Sequence, residues 1–161
     1  MSFTSVCALA AEDDAAPADA VFTKAPEPER FYVQTSVATT HFHEDPAHND
    51  DLRLLFGEWR PNRNVFIGAS FFRNSFDQPT QYVFAGWKFD PLPAAPNLYF
   101  RVSAGLVHGY KGEYKNKIPF NRYGVAPAVV PAVGYCYGRV CSELIGFGTA
   151  GVLLTLGVSL P

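Results

Sequence analysis

Two short segments of the sequence carry side chains that could together transfer an acyl group. His41 and His43 stand near the end of one segment of alternating apolar and polar residues, and Asn74-Ser75 ends another. A histidine can take a proton from a hydroxyl group, and a serine hydroxyl can act as a nucleophile or stabilise a developing oxyanion. These residue types fit acyl transfer, provided that the fold brings the two segments together.

A group of cations follows further along the chain, with Glu113 as its only acid. It comprises Lys111, Lys115, Lys117 and Arg122. A basic loop suits a phosphorylated substrate, although such a loop is often only solvated surface. His41 and His43, with His48 nearby, could instead hold a metal ion. Because no clear fourth ligand is present, we expect neither a metal nor another cofactor.

Most of the chain alternates with a period of two, which is typical of β-strands. Every even position from 152 to 160 is Val or Leu, and the even positions from 98 to 106 are likewise apolar. The opposite face is largely Gly, Ser and Thr, which are too small and uncharged for a water-facing exterior. The pattern therefore favours a membrane barrel over a soluble lipid-binding barrel, whose apolar face would point inward.

Eight such segments have lengths that suit membrane-crossing strands of roughly 9–11 residues. They are 30–43, 51–60, 64–74, 81–89, 97–110, 124–137, 139–147 and 150–160. The sequence thus predicts an all-β fold, an eight-stranded antiparallel transmembrane β-barrel with up-and-down topology over residues 30–161. In that topology the connections that carry the histidines, Ser75 and the cations all lie at one rim, on the outer side of the membrane.

Composition and the N-terminal segment agree with an exported membrane protein. The chain has 161 residues, 48 % of them hydrophobic and 17 % charged, with a net charge of −2. These values predict one ordered domain and exclude an electrostatic case for nucleic-acid binding. Residues 1–10 resemble the end of a secretory signal with a small-residue cleavage site, and 11–29 form a Pro-rich lead-in.

From about Phe56 onward, the chain resembles the outer-membrane lipid A palmitoyltransferases (the PagP family). The segment 72–76, Phe-Arg-Asn-Ser-Phe, resembles the family's Phe-Lys-Asp-Ser-Trp, and Gly86-Trp87 follows at the family's spacing. The segment 127–131, Pro-Ala-Val-Val-Pro, with Gly134-Tyr135 after it, resembles a second family motif. The fold that this resemblance implies is the eight-stranded barrel that the alternation predicts independently.

The resemblance also implies a catalytic set of His41, Ser75 and Asn74, with His43 as the alternative histidine. Asn74 stands where the family has Asp, and an amide cannot supply the negative charge that raises the pKa of a histidine. It can still accept a hydrogen bond and orient a ring. Asp77 or Asp45 could supply the charge instead.

Three further positions receive roles from the same resemblance, because a lipid acyl chain would have to enter the barrel. Pro127 and Pro131 lack backbone N–H groups, so they would leave gaps through which two strands could part. Gly86 would lie at the floor of the acyl-chain well and set the chain length. The cations Lys111, Lys115, Lys117 and Arg122, which suit a phosphorylated substrate by their charge, would then meet the phosphorylated acceptor.

The resemblance implies a monomeric acyltransferase of the bacterial outer membrane, integral to the membrane. It would move a palmitoyl-type chain from a glycerophospholipid donor to lipid A. The alternative is a small non-catalytic barrel for lipid binding or adhesion.

The remaining pair of candidate residues is Cys136 and Cys141. A two-residue turn at Gly138-Arg139 would pair Tyr137 with Val140, which sets the two cysteines opposite each other. We therefore expect the cysteines to be adjacent, and export to an oxidising compartment allows them to bond. Two free thiols in the barrel wall remain the alternative.

Overall fold

The computed structural model describes residues 29–42, 53–89, 93–148 and 150–161, which form a closed barrel of eight antiparallel strands. The strands are β1 (Phe31–His41), β2 (Leu55–Trp59), β3 (Val65–Arg73), β4 (Pro79–Phe89), β5 (Leu98–His108), β6 (Val125–Tyr137), β7 (Val140–Gly146) and β8 (Gly151–Leu160). Each strand pairs with the next, and β8 pairs with β1. This confirms the predicted fold and topology. The segments predicted as a signal remnant and most of the lead-in, residues 1–28, lie outside the described residues.

The connection between β5 and β6 contains a 3₁₀ segment, Gly112–Lys117, which the alternation did not predict. None of the described residues forms a helix long and apolar enough to cross a membrane.

The apolar face of each strand points outward. On β4, Val83 is 61 % exposed while Tyr82 and Phe84 are buried, and on β5, Leu106 is 57 % exposed while Arg101 is buried. A contiguous apolar exterior of this kind would be unfavourable in water and is the surface that a lipid bilayer covers. The alternation is therefore that of a transmembrane barrel and excludes the inward-apolar arrangement of a soluble one.

The barrel interior contains a charged layer nearer the chain termini. The guanidinium of Arg101 pairs with the carboxylates of both Glu58 and Glu143. Glu58 also accepts from Arg60 at 2.7 Å, and Glu143 accepts from the Tyr99 hydroxyl at 2.6 Å. Each of these four charges therefore has a partner of opposite sign, which buried ions require.

A β-bulge in β1 sets which way His41 faces. Ser36 pairs with Thr155 and Ala38 with Leu154, so Val37 is an extra residue without a partner on β8. Before the bulge the even positions of β1 face inward, whereas after it Thr39 and His41 line the interior cavity. Bulges near functional sites commonly redirect side chains in this way.

The β6–β7 hairpin confirms the predicted turn. Tyr137 pairs with Val140, Cys136 pairs with Cys141, and the two cysteines form a disulfide with their Cα atoms 4.0 Å apart. Gly138 has φ of 59°, a left-handed conformation that glycine adopts without a steric penalty.

Alkylation of the unreduced, unfolded protein is expected to leave Cys136 and Cys141 unmodified, and alkylation after reduction is expected to label both. Peptide mass measurement reads the difference. Two labelled thiols before reduction would contradict the bond. Because the closed loop is short, we expect reduction to cost less than the roughly 3 kcal/mol of a 15-residue loop.

Candidate functional site

His41 and Ser75 meet at one end of the barrel, where the connections after β1, β3, β5 and β7 lie. We call this end the loop rim, and the opposite end, with the chain termini, the terminal rim. The Nε2 atom of His41 lies 2.9 Å from the Oγ atom of Ser75, within hydrogen-bond distance. This is the distance required between a base and the hydroxyl that it activates. The structure therefore brings together the two residues that the sequence singled out.

Asn74 holds the turn that presents Ser75. Its side-chain Oδ1 accepts hydrogen bonds from the backbone N–H groups of Phe76 and Gln78, at 2.9 and 3.1 Å. These two bonds fix which end of the amide is oxygen, because an NH₂ group could not accept them. The Nδ2 donor of Asn74 has no hydrogen-bond partner, although the residue is only 1 % exposed and lines the cavity described below. Asn74 thus stabilises the Ser75 turn and leaves one donor unused.

The sequence offers two aspartates, Asp77 and Asp45, as sources of a negative charge near His41, and the structure describes the first of them. Asp77 forms an ion pair with Arg73 at 3.0 Å on the exposed side of the turn. His43 and Asp45 lie outside the described residues, as does His48 of the metal alternative. Among the residues that the structure describes, no cluster of three potential metal ligands is present.

A cavity of about 460 Å³ extends from the His41–Ser75 pair into the barrel. Its volume falls in the range of about 300–1,000 Å³ that is typical of ligand pockets. The mouth is lined by His41, Ser75, Asn74, Tyr110 and Lys117. Apolar side chains line the wall below it: Leu54, Phe56, Phe72, Val107, Ile145 and Leu153. The cavity therefore offers an apolar well with a histidine and a hydroxyl at its entrance.

The deep end of the cavity is polar. Arg101 and Glu143 of the charged layer line it, together with Ser103 and Gln34. The Oε1 atom of Gln34 accepts from the hydroxyls of Tyr32 and Thr155, and its Nε2 donor has no partner. A hydrocarbon chain that entered from the loop rim would end against this layer, because apolar groups gain nothing from displacing paired charges.

Gly86 is not the floor of this cavity, which corrects the expectation from sequence. The residue faces the interior, but the ring of Phe66 lies directly against it, and a Cβ atom there would overlap that ring and the carbonyl of Val102. Gly86 accordingly does not line the cavity. Its lack of a side chain makes room for Phe66, on whose ring face the Arg101 guanidinium rests at 3.7 Å from the centroid.

The wall of the cavity is incomplete beside β6. Pairing between β6 and β7 begins at Ala132 and Ile145, so residues 125–131 extend past β7 toward the loop rim. The outward-facing Pro127 and Val129 line the cavity at this level. Pro131 also faces outward but does not line the cavity. The structure therefore places one of the two predicted prolines at a side wall where the cavity reaches the lipid-facing surface.

The basic loop between β5 and β6 packs against the turn that carries Ser75. Gln78 bonds the backbone N–H and carbonyl of Lys111 at 3.1 and 3.3 Å, and the Phe76 ring stacks on Tyr114 at 4.2 Å. All four cations are exposed at the rim: Lys111, Lys115, Lys117 and Arg122. Lys117 also lies over the Phe76 ring and lines the cavity.

Tyr110 is a neutral group at the cavity mouth. Burial raises the pKa of its phenol above the ordinary value. It therefore keeps its proton at neutral pH and faces the cavity uncharged.

Comparison with known proteins supports the fold alone. No protein-family model matches the chain, and no curated protein sequence matches it. A solved structure of a de novo designed transmembrane β-barrel is similar, with a TM-score of 0.56 and 12 % sequence identity. The similarity covers 83 % of this chain and 98 % of that one. At this level of identity the designed barrel says nothing about activity.

Proposed function

We propose that this protein is an acyltransferase of the bacterial outer membrane, which moves a palmitoyl-type chain from a glycerophospholipid to a hydroxyl group of lipid A. The observation that carries the proposal is the 2.9 Å contact between His41 and Ser75 at the mouth of an apolar cavity. The resemblance of segments 72–76 and 127–131 to the lipid A palmitoyltransferases supports the same reaction.

In the direct route, His41 removes the proton from the acceptor hydroxyl, whose oxygen attacks the ester carbonyl of the phospholipid. The bond between the carbonyl carbon and the glycerol oxygen breaks, and the histidine returns its proton to that oxygen, which releases a lysophospholipid. Ser75 donates a hydrogen bond to the oxyanion in this route. The free Nδ2 donor of Asn74 lies in the neighbouring residue and lines the same cavity.

In the two-step route, His41 removes the proton of Ser75 itself, and Ser75 takes the acyl chain before the acceptor does. In the first step the bond to the glycerol oxygen breaks, and His41 passes the serine proton to that oxygen. In the second step the acceptor oxygen attacks the acyl carbon, the bond to Ser75 Oγ breaks, and His41 carries the acceptor's proton back to Ser75 Oγ. The same pair serves both routes. A whole-protein mass that rises by one acyl group in the absence of acceptor would distinguish the two-step route.

The test uses the purified full chain in detergent micelles with a phospholipid that carries a deuterated palmitoyl chain, and lipid A as the acceptor. We expect lipid A to gain one deuterated palmitoyl group and lysophospholipid to form in equal amount, read by mass spectrometry. Deuterated free palmitate without acylated lipid A would identify a hydrolase instead. No product in either pool would favour the alternative of a non-catalytic lipid-binding or adhesive barrel.

The deep end of the cavity is expected to select chain length. Ala132 faces inward, lines the cavity, and pairs with Arg101 and Ile145. Ala132→Leu would fill space that the last methylenes occupy, and each buried methylene contributes about 0.8 kcal/mol, or roughly fourfold in binding. We expect the preferred chain to shorten by about two or three carbons, as measured by competition among phospholipids of mixed chain length.

Two other variants make that result specific. Ala104→Leu makes the same change on the outward face of β5 and should leave chain preference unaltered. Gly86→Met should lower stability by displacing Phe66, and it should not shorten the product. If Gly86→Met shortened the transferred acyl chain and Ala132→Leu did not, Gly86 would be the residue that sets the chain length.

A further inference from the structure

The connection between β5 and β6 exposes two aromatic side chains at the loop rim. Phe120 is 83 % exposed and Tyr123 is 103 % exposed, the two highest values among the large hydrophobic residues that the structure describes. Among the residues that the structure describes, no ring contact of either side chain accounts for an aromatic residue at its position. Both rings are therefore available to a partner outside the described part of the chain.

The backbone at both positions makes this exposure more significant. Phe120 and Tyr123 have φ of 59° and 55°, in the left-handed region that bulky residues rarely adopt. Tyr123 and Gly124 form a two-residue turn closed by reciprocal hydrogen bonds between Arg122 and Val125. With both central residues at positive φ, this turn is of the type that favours Asn-Gly. A tyrosine in the asparagine position costs conformational energy, and its full exposure shows no compensating burial among the described residues.

Tyr123 lies beside the lipid-facing surface, and Phe120 is three residues earlier in the same loop. Tyr123 precedes Val125 by two residues, and Val125 begins the outward apolar row of β6 that continues through Pro127 and Val129. At about 3.4 Å per residue in a strand, Tyr123 is within roughly 7 Å of that row. In membrane proteins, aromatic side chains at the edge of the apolar surface commonly meet the headgroups.

The charge around the rings is positive. The loop carries four cations against one acid, and Lys111, Lys115, Lys117 and Arg122 are all exposed. Cations at the membrane surface attract anionic lipid headgroups. A loop that exposes both aromatic rings and cations thus fits the membrane surface, where the apolar acyl-chain region meets the anionic headgroups.

We propose that Phe120, Tyr123 and the surrounding cations form a docking surface for anionic headgroups of the surrounding lipid leaflet. The two rings enter the headgroup level, and the ammonium and guanidinium groups pair with lipid phosphates. Because the same loop is bonded to Gln78 and stacked on Phe76, docking also steadies the turn that presents Ser75. The inference goes beyond the proposed function and does not depend on catalysis.

The test places one tryptophan at the loop rim of the full chain. The native Trp59 and Trp87 are replaced by Phe, and Phe120→Trp or Tyr123→Trp is added. Each variant is reconstituted in phosphatidylcholine vesicles with or without phosphatidylglycerol, and its emission maximum and quenching by brominated lipids are measured. We expect a blue shift and at least twofold stronger quenching in the anionic vesicles, both reversed by high salt.

A matched control lies at the opposite rim. Tyr137 is 81 % exposed beside Arg139, which is paired with Glu29 at 3.5 Å, so Tyr137→Trp should report the same emission in both vesicles. Combining the reporter at position 120 with Lys111→Gln, Lys115→Gln and Arg122→Gln should abolish the anionic response. The proposal is overturned if the indole at 120 or 123 emits as in water in both vesicles, or responds equally to both. Far-UV circular dichroism confirms that each variant retains its strands.

Discussion

Replacing His41 with alanine is expected to lower acyl transfer to lipid A by about 10²–10⁴-fold while the barrel folds normally. The imidazole is the only group that contacts Ser75 Oγ through a described hydrogen bond and could carry its proton, and it lies at the rim, where truncation leaves the strand ladder intact. The measurement is the initial rate of deuterated palmitoyl transfer with saturating donor. A His41→Ala variant that keeps the wild-type rate would exclude the residue as the base.

Thr39→Ala is the matched control for this experiment. Thr39 faces the same cavity two residues earlier on β1 and makes no described contact with Ser75. We expect its rate to stay within about twofold of wild type. His43→Ala is expected to have a smaller effect than His41→Ala, and a reversal of that order would place the base two residues further along the chain.

The Ser75→Ala variant, alone and combined with His41→Ala, tests whether the two residues act together in catalysis. If His41 and Ser75 act as one unit, the double variant should lose no more activity than the worse single variant, because groups that act together are not additive. Losses that multiply would assign the two residues independent roles. Circular dichroism of all three variants excludes unfolding as the cause.

The strands could be predicted because the signal for them is local: it lies in the alternation of neighbouring residues. A lipid-facing side chain must be apolar and the next one faces the interior, so the alternation along β4, β5 and β8 fixes both strand and face. The topology followed from the same pattern, since strands with short connections pair in sequence. The Cys136–Cys141 pairing needed only the two-residue turn at Gly138-Arg139.

The candidate site was only partly predictable. Ser75 and His41 could be identified from residue type and position, but the bulge at Val37 that turns His41 inward shows only as a phase change between Val33 and Thr39. The role of Asn74 also needed the fold, because the two backbone N–H groups that donate to its side-chain oxygen are brought there by the folded turn. The prediction for Gly86 was wrong because the sequence does not show how far along the barrel axis the cavity extends. The Phe66 ring on the adjacent strand fills the space beside Gly86, so that residue does not reach the cavity.

The ion pairs of the interior charged layer could not be predicted from the sequence, because their partners lie on strands that are far apart along the chain. Glu58 and Glu143 stand on β2 and β7, and nothing local shows that Arg101 on β5 reaches both. Isolated charges in an alternating segment look like ordinary interior-facing polar residues. Arg101 contacts Glu58 and Glu143 only because the closed barrel brings side chains of β2, β5 and β7 together in its interior. Their pairing therefore depends on the whole fold and cannot be read from any single segment.

Arg101→Met is expected to destabilise the barrel by about 3–5 kcal/mol, because it leaves two buried carboxylates with less compensating charge. Arg60 remains beside Glu58, whereas Glu143 loses its ion pair with Arg101 and keeps the hydrogen bond from the neutral Tyr99 hydroxyl. The substitution also removes the cation from the face of Phe66, which packs over Gly86. Reversible urea unfolding in micelles, followed by tryptophan fluorescence, measures the loss.

The decisive comparison adds Glu58→Gln and Glu143→Gln to Arg101→Met. Neutral amides of the same shape remove the uncompensated charge, so the triple variant should recover most of the lost stability, as replacement of whole buried ion clusters often does. A triple variant as unstable as Arg101→Met would show that the guanidinium acts through packing against Phe66. Wild-type stability in Arg101→Met would mean that solvent reaches the layer from the terminal rim, and the polar end of the cavity would then be open rather than closed.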